Sequence, residues 1–195
     1  MMAQLFSTLI LIMIKVDYGY MLTNDPNNPC RADGNGTYFD ISGVLEYPAR
    51  AQGPGYNPPT LYDYWYSPCI PYDCPQAFPN NDNTAVCQRA DQYYNCGTTL
   101  NTVWLWNGFY ANDNRGNAAF TILYPGGQMM SWRSANITFI QDTSLSKPVF
   151  TFISEDPYLQ YNFIVRAPCI GQNGCNNTLN VAYDNDLVYN VSVRV

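Results

Sequence analysis

Apolar and polar residues alternate along much of this chain, which is the period-two pattern of a half-buried β-strand. Aromatic and β-branched residues fill many of the apolar positions, as in the run 61–66, and such residues favour strands. The alternation predicts strands at residues 37–45, 61–66, 84–89, 103–106, 118–124, 136–140, 149–153 and 159–165. A closing hairpin is predicted from residues 178–182 and 187–195, with residues 184–186 at its turn.

Between these strands the chain is rich in Pro, Gly and Asn, which favour turns over regular structure. The longest such stretches are residues 46–60 and 69–83, which we expect to form loops. No helical periodicity extends beyond two turns, and no segment of the sequence repeats. Many short strands separated by turns indicate an all-β domain, either a sandwich or a flattened barrel.

The first residues differ from the rest of the chain in being continuously apolar. Residues 5–14 form an apolar run that is too short to span a bilayer comfortably, and no later stretch is long and apolar enough to do so. We interpret residues 1–19 as a signal peptide, with a retained N-terminal helix or anchor as the alternative. Residues 20–29 are then a polar leader, 30–175 the main domain and 176–195 a C-terminal hairpin extension.

Composition narrows the range of functions. The chain of 195 residues is 47% hydrophobic, which suits one domain with its own core. Its net charge of −6 argues against a nucleic-acid partner, because such a surface needs a basic patch. There is no His, which removes Ser-His and Cys-His catalysis and His-ligated zinc. We therefore expect no catalytic residues, no metal and no cofactor.

Cysteines and glycosylation sequons point to the secretory pathway. Seven cysteines occur outside any Cys-x-x-Cys pattern, at Cys30, Cys69, Cys74, Cys87, Cys96, Cys169 and Cys175. Four candidate N-glycosylation sites are present, at Asn35, Asn136, Asn176 and Asn190. Cysteines at this density suit disulfides in an oxidising compartment, either the secretory lumen or the extracellular space. The odd count leaves at least one thiol unpaired or intermolecular.

Candidate ligand-binding residues occur in four separate segments. Gln88 ends the run 85–88, Arg133 follows Tyr-x-Gly-Gly at 124–127, Glu155 ends the run 150–155, and Tyr161 opens the run 161–165. An amide, a guanidinium, a carboxylate and a phenol can together satisfy the vicinal hydroxyls of a neutral sugar, since each hydroxyl both donates and accepts. In order and context these segments resemble the mannose 6-phosphate receptor homology domain, a lectin module, and the resemblance covers residues 30–175.

The resemblance implies a fold and a role for each residue. The fold would be a flattened β-barrel of two crossed antiparallel sheets, stabilised by disulfides. Gln88 and Arg133 would bind the axial 2-hydroxyl of mannose, and Glu155 and Tyr161 the 3- and 4-hydroxyls. The loop between Gly127 and Arg133 lacks the acidic residue and the Cys of the phosphate-binding receptors. We therefore expect neutral mannose on N-glycans or glycoproteins to be the ligand, rather than mannose 6-phosphate.

The resemblance also suggests how the cysteines pair. It implies a Cys30–Cys69 bridge, and it leaves Cys175 as the nearest partner for Cys169, since Gln141 stands where the family commonly has Cys. Cys74–Cys87 is the favoured third bridge, with Cys96 unpaired, and Cys87–Cys96 competes with it.

Two other functional classes compete with a mannose lectin. The same fold could act as a structural or adaptor module, with a lapsed site and protein partners in a larger assembly. A glycosidase would need two carboxylates across one site, and Glu155 with Asp156 is a poor pair because adjacent strand residues face opposite ways. We therefore expect a protein that is not an enzyme.

Overall fold

The computed structural model describes residues 21–34, 37–55, 60–70, 72–75, 83–109, 118–126, 133–171, 177–180 and 190–193. Every regular element within these ranges is a β-strand. The strands are β1 (Met21–Asp25), β2 (Asn28–Gly34), β3 (Thr37–Asp40), β4 (Ala49–Pro54), β5 (Leu61–Tyr66), β6 (Thr84–Arg89), β7 (Tyr93–Thr98), β8 (Val103–Phe109), β9 (Ala118–Tyr124), β10 (Ser134–Gln141), β11 (Val149–Glu155), β12 (Gln160–Ala167), β13 (Asn177–Asn180) and β14 (Asn190–Val193). The predicted all-β class is confirmed.

Two sheets form the flattened barrel. An eight-stranded sheet has the order β11-β12-β10-β9-β8-β1-β2-β3, and a four-stranded sheet has the order β4-β5-β6-β7. The two sheets meet where β4 contacts β11 and where β7 contacts β9 and β10. Strands β13 and β14 pair antiparallel as the predicted C-terminal hairpin, and its turn lies outside the described residues.

One strand pair departs from the expected antiparallel arrangement. β10 and β12 run parallel, in register from Ser134↔Gln160 to Gln141↔Ala167. The chain leaves β10, forms β11 at the outer edge of the sheet and returns as β12 into the space between them. Alternation of side chains reveals which residues face the core but not the direction of a strand, so the sequence could not predict this pairing.

The buried turn after β10 makes this path possible. Asp142 is 5% exposed, and its backbone N–H donates to the Ala167 carbonyl oxygen at 2.7 Å. Its carboxylate accepts from the Ser144 backbone N–H at 3.1 Å and lies 3.6 Å from an Arg166 guanidinium nitrogen. The turn is therefore fastened to the end of β12, which fixes the register of the two parallel strands.

Aromatic rings fill the space between the sheets. On the small sheet, Tyr64 stacks on Phe152 at 4.9 Å between centroids and meets Phe163 edge-on at 5.3 Å. Tyr66 meets Tyr124 edge-on, and their hydroxyls are hydrogen-bonded at 2.8 Å. Such rings contribute both apolar burial and pairwise contacts, so strand β5 joins the two sheets.

Two predictions about the N-terminal half are wrong. Residues 21–29 are not a leader, because β1 pairs with both β2 and β8 and so belongs to the large sheet. Residues 46–60 are not wholly a loop, because β4 forms within them and pairs with β5. Both segments form strands that have one exposed face. The polar residues of the first segment and the Pro and Gly of the second concealed these strands in the sequence. Residues 1–19 lie outside the described residues.

The structure contains the Cys30–Cys69 and Cys74–Cys87 disulfides, and Cys96 is a buried free thiol. Cys169 is also disulfide-bonded, and Cys175, which we expected as its partner, lies outside the described residues. The competing Cys87–Cys96 bridge is excluded. These bonds support an oxidising compartment for the mature protein.

Gly97 lies where the two sheets pack closely against each other. A Cβ placed on it would lie 2.7 Å from the Tyr124 Cβ and 3.4 Å from the Ala135 Cβ, neither of which can swing away. We predict that Gly97→Ala lowers the free energy of unfolding by about 1–3 kcal/mol through overpacking. Gly43→Ala, in an exposed turn, is the matched control. Urea denaturation measures both, and equal stability of the two variants would contradict this packing.

Candidate functional site

The four predicted ligand-binding residues lie at the ends of four strands. Gln88 is the penultimate residue of β6, Arg133 immediately precedes β10, Glu155 ends β11, and Tyr161 is the second residue of β12. Because β10 and β12 are parallel, their first residues meet at one edge of the large sheet. The antiparallel strand β11 brings its last residue to the same edge, where Glu155 pairs with Tyr161.

Three of the four side chains form one hydrogen-bonded cluster. Arg133 Nη1 donates to Gln88 Oε1 at 3.2 Å and also to the Tyr161 hydroxyl oxygen. The Tyr161 hydroxyl donates in turn to Gln88 Oε1 at 3.5 Å. Gln88 and Tyr161 are 2% and 1% exposed, whereas Arg133 is half-buried. The cluster therefore has a buried base and a guanidinium nearer the surface.

Glu155 completes the group from the rim of this cluster. Its side chain is exposed, and Oε1 accepts a hydrogen bond from the Leu159 backbone N–H at 3.1 Å. That bond closes the turn between β11 and β12, so the carboxylate is held close to the start of β12. Its negative charge is near enough to contribute to raising the pKa of Tyr161.

Two tyrosines that the sequence analysis did not single out as ligand-site residues support this cluster. Tyr64 lies directly opposite Gln88 on β5, and its hydroxyl accepts from Gln88 Nε2 at 2.9 Å. Tyr94 lies opposite Gln88 on β7, and its ring centroid is 4.1 Å from the Arg133 Cζ. Tyr64 lies in the predicted strand 61–66, whereas no strand was predicted around Tyr94, and only the register of β5, β6 and β7 shows that the two residues flank Gln88.

Burial keeps the phenols of this site neutral. The pKa of Tyr161 is raised above its ordinary value chiefly by burial, and the adjacent Arg133 cation only partly opposes this. The pKa of Tyr64 is also raised by burial, with the hydrogen bond from Gln88 acting in the opposite direction. Each hydroxyl therefore keeps its proton at neutral pH and can donate as well as accept.

A free thiol lies beneath the cluster. Burial raises the pKa of Cys96 to about 12, although Arg133 and Tyr161 both lie close enough to lower it somewhat. The neutral thiol is within 3.7 Å of the Tyr94 carbonyl oxygen, to which it donates. Cys96 thus packs under the polar cluster as a small, protonated side chain.

The candidate glycosylation sites are described only in part. Asn35 and Asn176 lie outside the described residues, and Asn190 opens β14. Asn136 lies within β10, where its Nδ2, the atom that carries an N-glycan, donates to Asn162 Oδ1 at 3.0 Å. A half-buried position in the sheet makes Asn136 a poor acceptor.

A separate groove lies toward the other end of β11. Its volume is about 830 Å³, and it is lined by Val44, Leu45 and Phe150, with Glu46 and Lys147 also contributing. Phe150 and Glu155 are five residues apart on an extended strand, which corresponds to roughly 16 Å. The groove is therefore distinct from the cluster around Arg133.

Among the described residues, no group of three or more Cys, Asp or Glu side chains is placed to hold a metal ion. In the same part of the chain we find no helix with the length and apolar character needed to cross a bilayer.

Comparison with known proteins adds no identification. No protein-family model matches the chain, and no curated protein matches it either. The lectin resemblance and the roles assigned to the four residues thus stay predictions.

The burial of Cys96 leads to a direct chemical prediction. In the native protein at pH 8, iodoacetamide should leave Cys96 unlabelled, because the thiol is both inaccessible and protonated. After denaturation without reductant the same residue should be labelled, as located by peptide mass mapping. Rapid labelling of Cys96 in the folded protein would contradict this environment.

The same thiol contributes to stability in a pH-dependent way. Its pKa is higher in the folded state than the ordinary value of 9.0, so its contribution is complete below about pH 9 and is lost as pH rises toward 12. Buried tyrosines with raised pKa values act in the same direction. Cys96→Ala should therefore reduce, but not abolish, the alkaline loss of stability measured by urea denaturation.

Proposed function

We propose that this protein is a non-catalytic lectin of the secretory lumen or extracellular space that recognises mannose on N-glycans by hydrogen bonding. The observation that carries the proposal is the cluster of Gln88, Arg133 and Tyr161, with Glu155 at its rim. Residues from four separate segments converge there in a way that ordinary core packing does not require. The ligand would be a glycan or glycoprotein.

The hydrogen-bond inventory of the cluster suits a sugar. Arg133 Nη1 donates to Gln88 and Tyr161, and a guanidinium has five N–H donors in all, so the half-buried Arg133 could also donate to a sugar hydroxyl. Gln88 Nε2 donates one of its two hydrogens to Tyr64, and because Gln88 is 2% exposed a sugar must displace covering atoms to reach the other. The site therefore presents several donors that can converge on one hydroxyl oxygen.

Glu155 supplies the complementary acceptor. A carboxylate has about four lone-pair positions, and the Leu159 N–H occupies one of them. Neighbouring sugar hydroxyls could donate to the others while accepting from Arg133 and Gln88. N–H donors on one side of the site and a carboxylate acceptor on the other match the two neighbouring hydroxyls of a sugar diol. Hydrogen bonds to a charged group are stronger than those between neutral groups.

Preference for mannose follows from the position of the donors. An axial 2-hydroxyl distinguishes mannose from glucose, and the proposed roles assign it to Gln88 and Arg133. Loss of that partner would leave buried polar groups unpaired, at a cost of about 1–3 kcal/mol, which corresponds to roughly 5- to 150-fold in affinity. The residues between Gly127 and Arg133 include no carboxylate to hold a cation for phosphate, which favours neutral mannose.

One observation favours a second function. Gln88 and Tyr161 are almost fully covered, and the polar groups of the cluster satisfy one another without a ligand. A structural or adaptor module that retains the fold but binds proteins instead of sugars would have such a self-contained cluster. Sugar binding by the folded protein separates these two functions.

Arg133→Ala provides the first test. The substitution removes the free donors of the guanidinium, so affinity for high-mannose glycans should fall at least about tenfold. Arg31→Ala is the matched control, because Arg31 lies on β2, near the opposite edge of the large sheet, and pairs with Asp33 on the surface at 3.2 Å. Glycan-array binding followed by calorimetry measures both variants. A wild-type protein that is folded, as shown by near-UV circular dichroism, and binds no mannose-containing glycan would favour the adaptor function.

Glu155→Gln tests the acceptor side of the site. The amide can still accept from Leu159 but loses the charge and half of the acceptor capacity, so mannose affinity should fall about tenfold or more. Asp156→Asn, at the adjacent exposed position, should bind like the wild type. Equal affinities for these two variants would show that Glu155 does not contact the sugar.

A further inference from the structure

The orientation of Arg133 depends on a residue outside the proposed binding quartet. Its guanidinium carbon lies 4.1 Å from the centroid of the Tyr94 ring, within the distance of a favourable cation–π contact. The Tyr161 ring is farther away, at 5.8 Å. Tyr94 is thus the aromatic surface against which the planar guanidinium rests.

The Tyr94 ring is itself fixed in place. Its hydroxyl accepts from Gln92 Nε2 at 2.8 Å and donates to Asp91 Oδ1 at 3.1 Å. Its backbone is held in β7, in register with Gln88 on β6. Both ends of the side chain are therefore anchored, and the ring presents its face to Arg133 without depending on a ligand.

Stacking determines which guanidinium atoms reach a ligand. A planar guanidinium lying on a ring can still rotate within its plane, and the bonds from Nη1 to Gln88 and Tyr161 fix that rotation. The ring and the Nη1 bonds together fix the orientation of the guanidinium and so the directions of its N–H donors. We infer that Tyr94 is a positioning residue that aims Arg133 at the axial hydroxyl and so determines epimer selectivity, an inference that rests on the proposed function.

Tyr94→Leu and Tyr94→Phe separate this role from simple packing. Leucine removes the aromatic face, so mannose affinity should fall roughly 2- to 30-fold, the range of one cation–π contact. The ratio of mannose affinity to glucose affinity should also fall, because the two sugars differ at the 2-hydroxyl and the proposed contact to that hydroxyl depends on the orientation of Arg133. Phenylalanine keeps the face and should retain most of both. Tyr93→Leu, at a neighbouring position whose ring packs on Trp65, is the matched control and should preserve selectivity.

A second readout works whether or not the protein binds sugar. Nitrogen-15 relaxation of the Arg133 Nε–H signal, assigned by its loss in Arg133→Lys, should give a high order parameter in the wild type and in Tyr94→Phe. The order parameter should fall in Tyr94→Leu, because the guanidinium loses the ring that holds it in place. An unchanged order parameter in Tyr94→Leu would overturn the inference.

The two measurements keep the inference separate from the proposed function. If the wild type binds no sugar but the order parameter of the Arg133 Nε–H falls in Tyr94→Leu, Tyr94 still positions Arg133 and only the lectin function fails. If the wild type binds mannose and Tyr94→Leu leaves affinity and selectivity intact, Tyr94 plays no positioning role. A fall in mannose and glucose affinity by the same factor would also overturn it, since that result indicates general loss of structure.

Discussion

The parallel pairing of β10 with β12 is the constraint on which the arrangement of this molecule depends. Both strands start at the same edge of the large sheet, so Arg133 and Tyr161 come within hydrogen-bonding distance. An antiparallel partner of the same length would place these residues roughly 20 Å apart, at opposite ends of the strands. The turn at Asp142 fixes this pairing at the opposite end of the two strands, where Asp142 contacts both Ala167 and Arg166 of β12. A buried turn at one end of the barrel thus determines whether a polar cluster can form at the other.

The hydrophobic core and the candidate site share side chains instead of lying side by side. The Tyr64 ring packs against Phe152 and Phe163 between the sheets, while its hydroxyl orients the Gln88 amide. Burial that stabilises the barrel also keeps this phenol neutral, because it raises the pKa. The cluster is consequently organised in the absence of a ligand, which would lower the entropy cost if one binds as proposed. Core substitutions near Tyr64 would disturb both properties together.

Strands with regular alternation could be predicted closely from the sequence, and those with weak alternation could not. Residues 61–66 and 118–124 were predicted with the bounds that the structure shows, since aromatic and branched side chains mark one buried face. β1, β2, β4 and β7 were missed because Asn, Asp, Pro, Gly and small residues within them weaken that signal. The candidate quartet came from a resemblance, whereas the supporting positions of Tyr64 and Tyr94 depend on strand register, which periodicity does not contain.

The near-complete burial of Gln88 and Tyr161 divides the site into two functional layers. An unpaired buried amide or phenol would destabilise the fold, and here each finds its partner within the cluster. Folding therefore explains the buried layer without reference to a ligand. It does not explain a guanidinium that is only half-buried, or an exposed carboxylate at the rim of the cluster. Those two groups are the ones from which affinity would come, and the buried layer would hold them in one orientation.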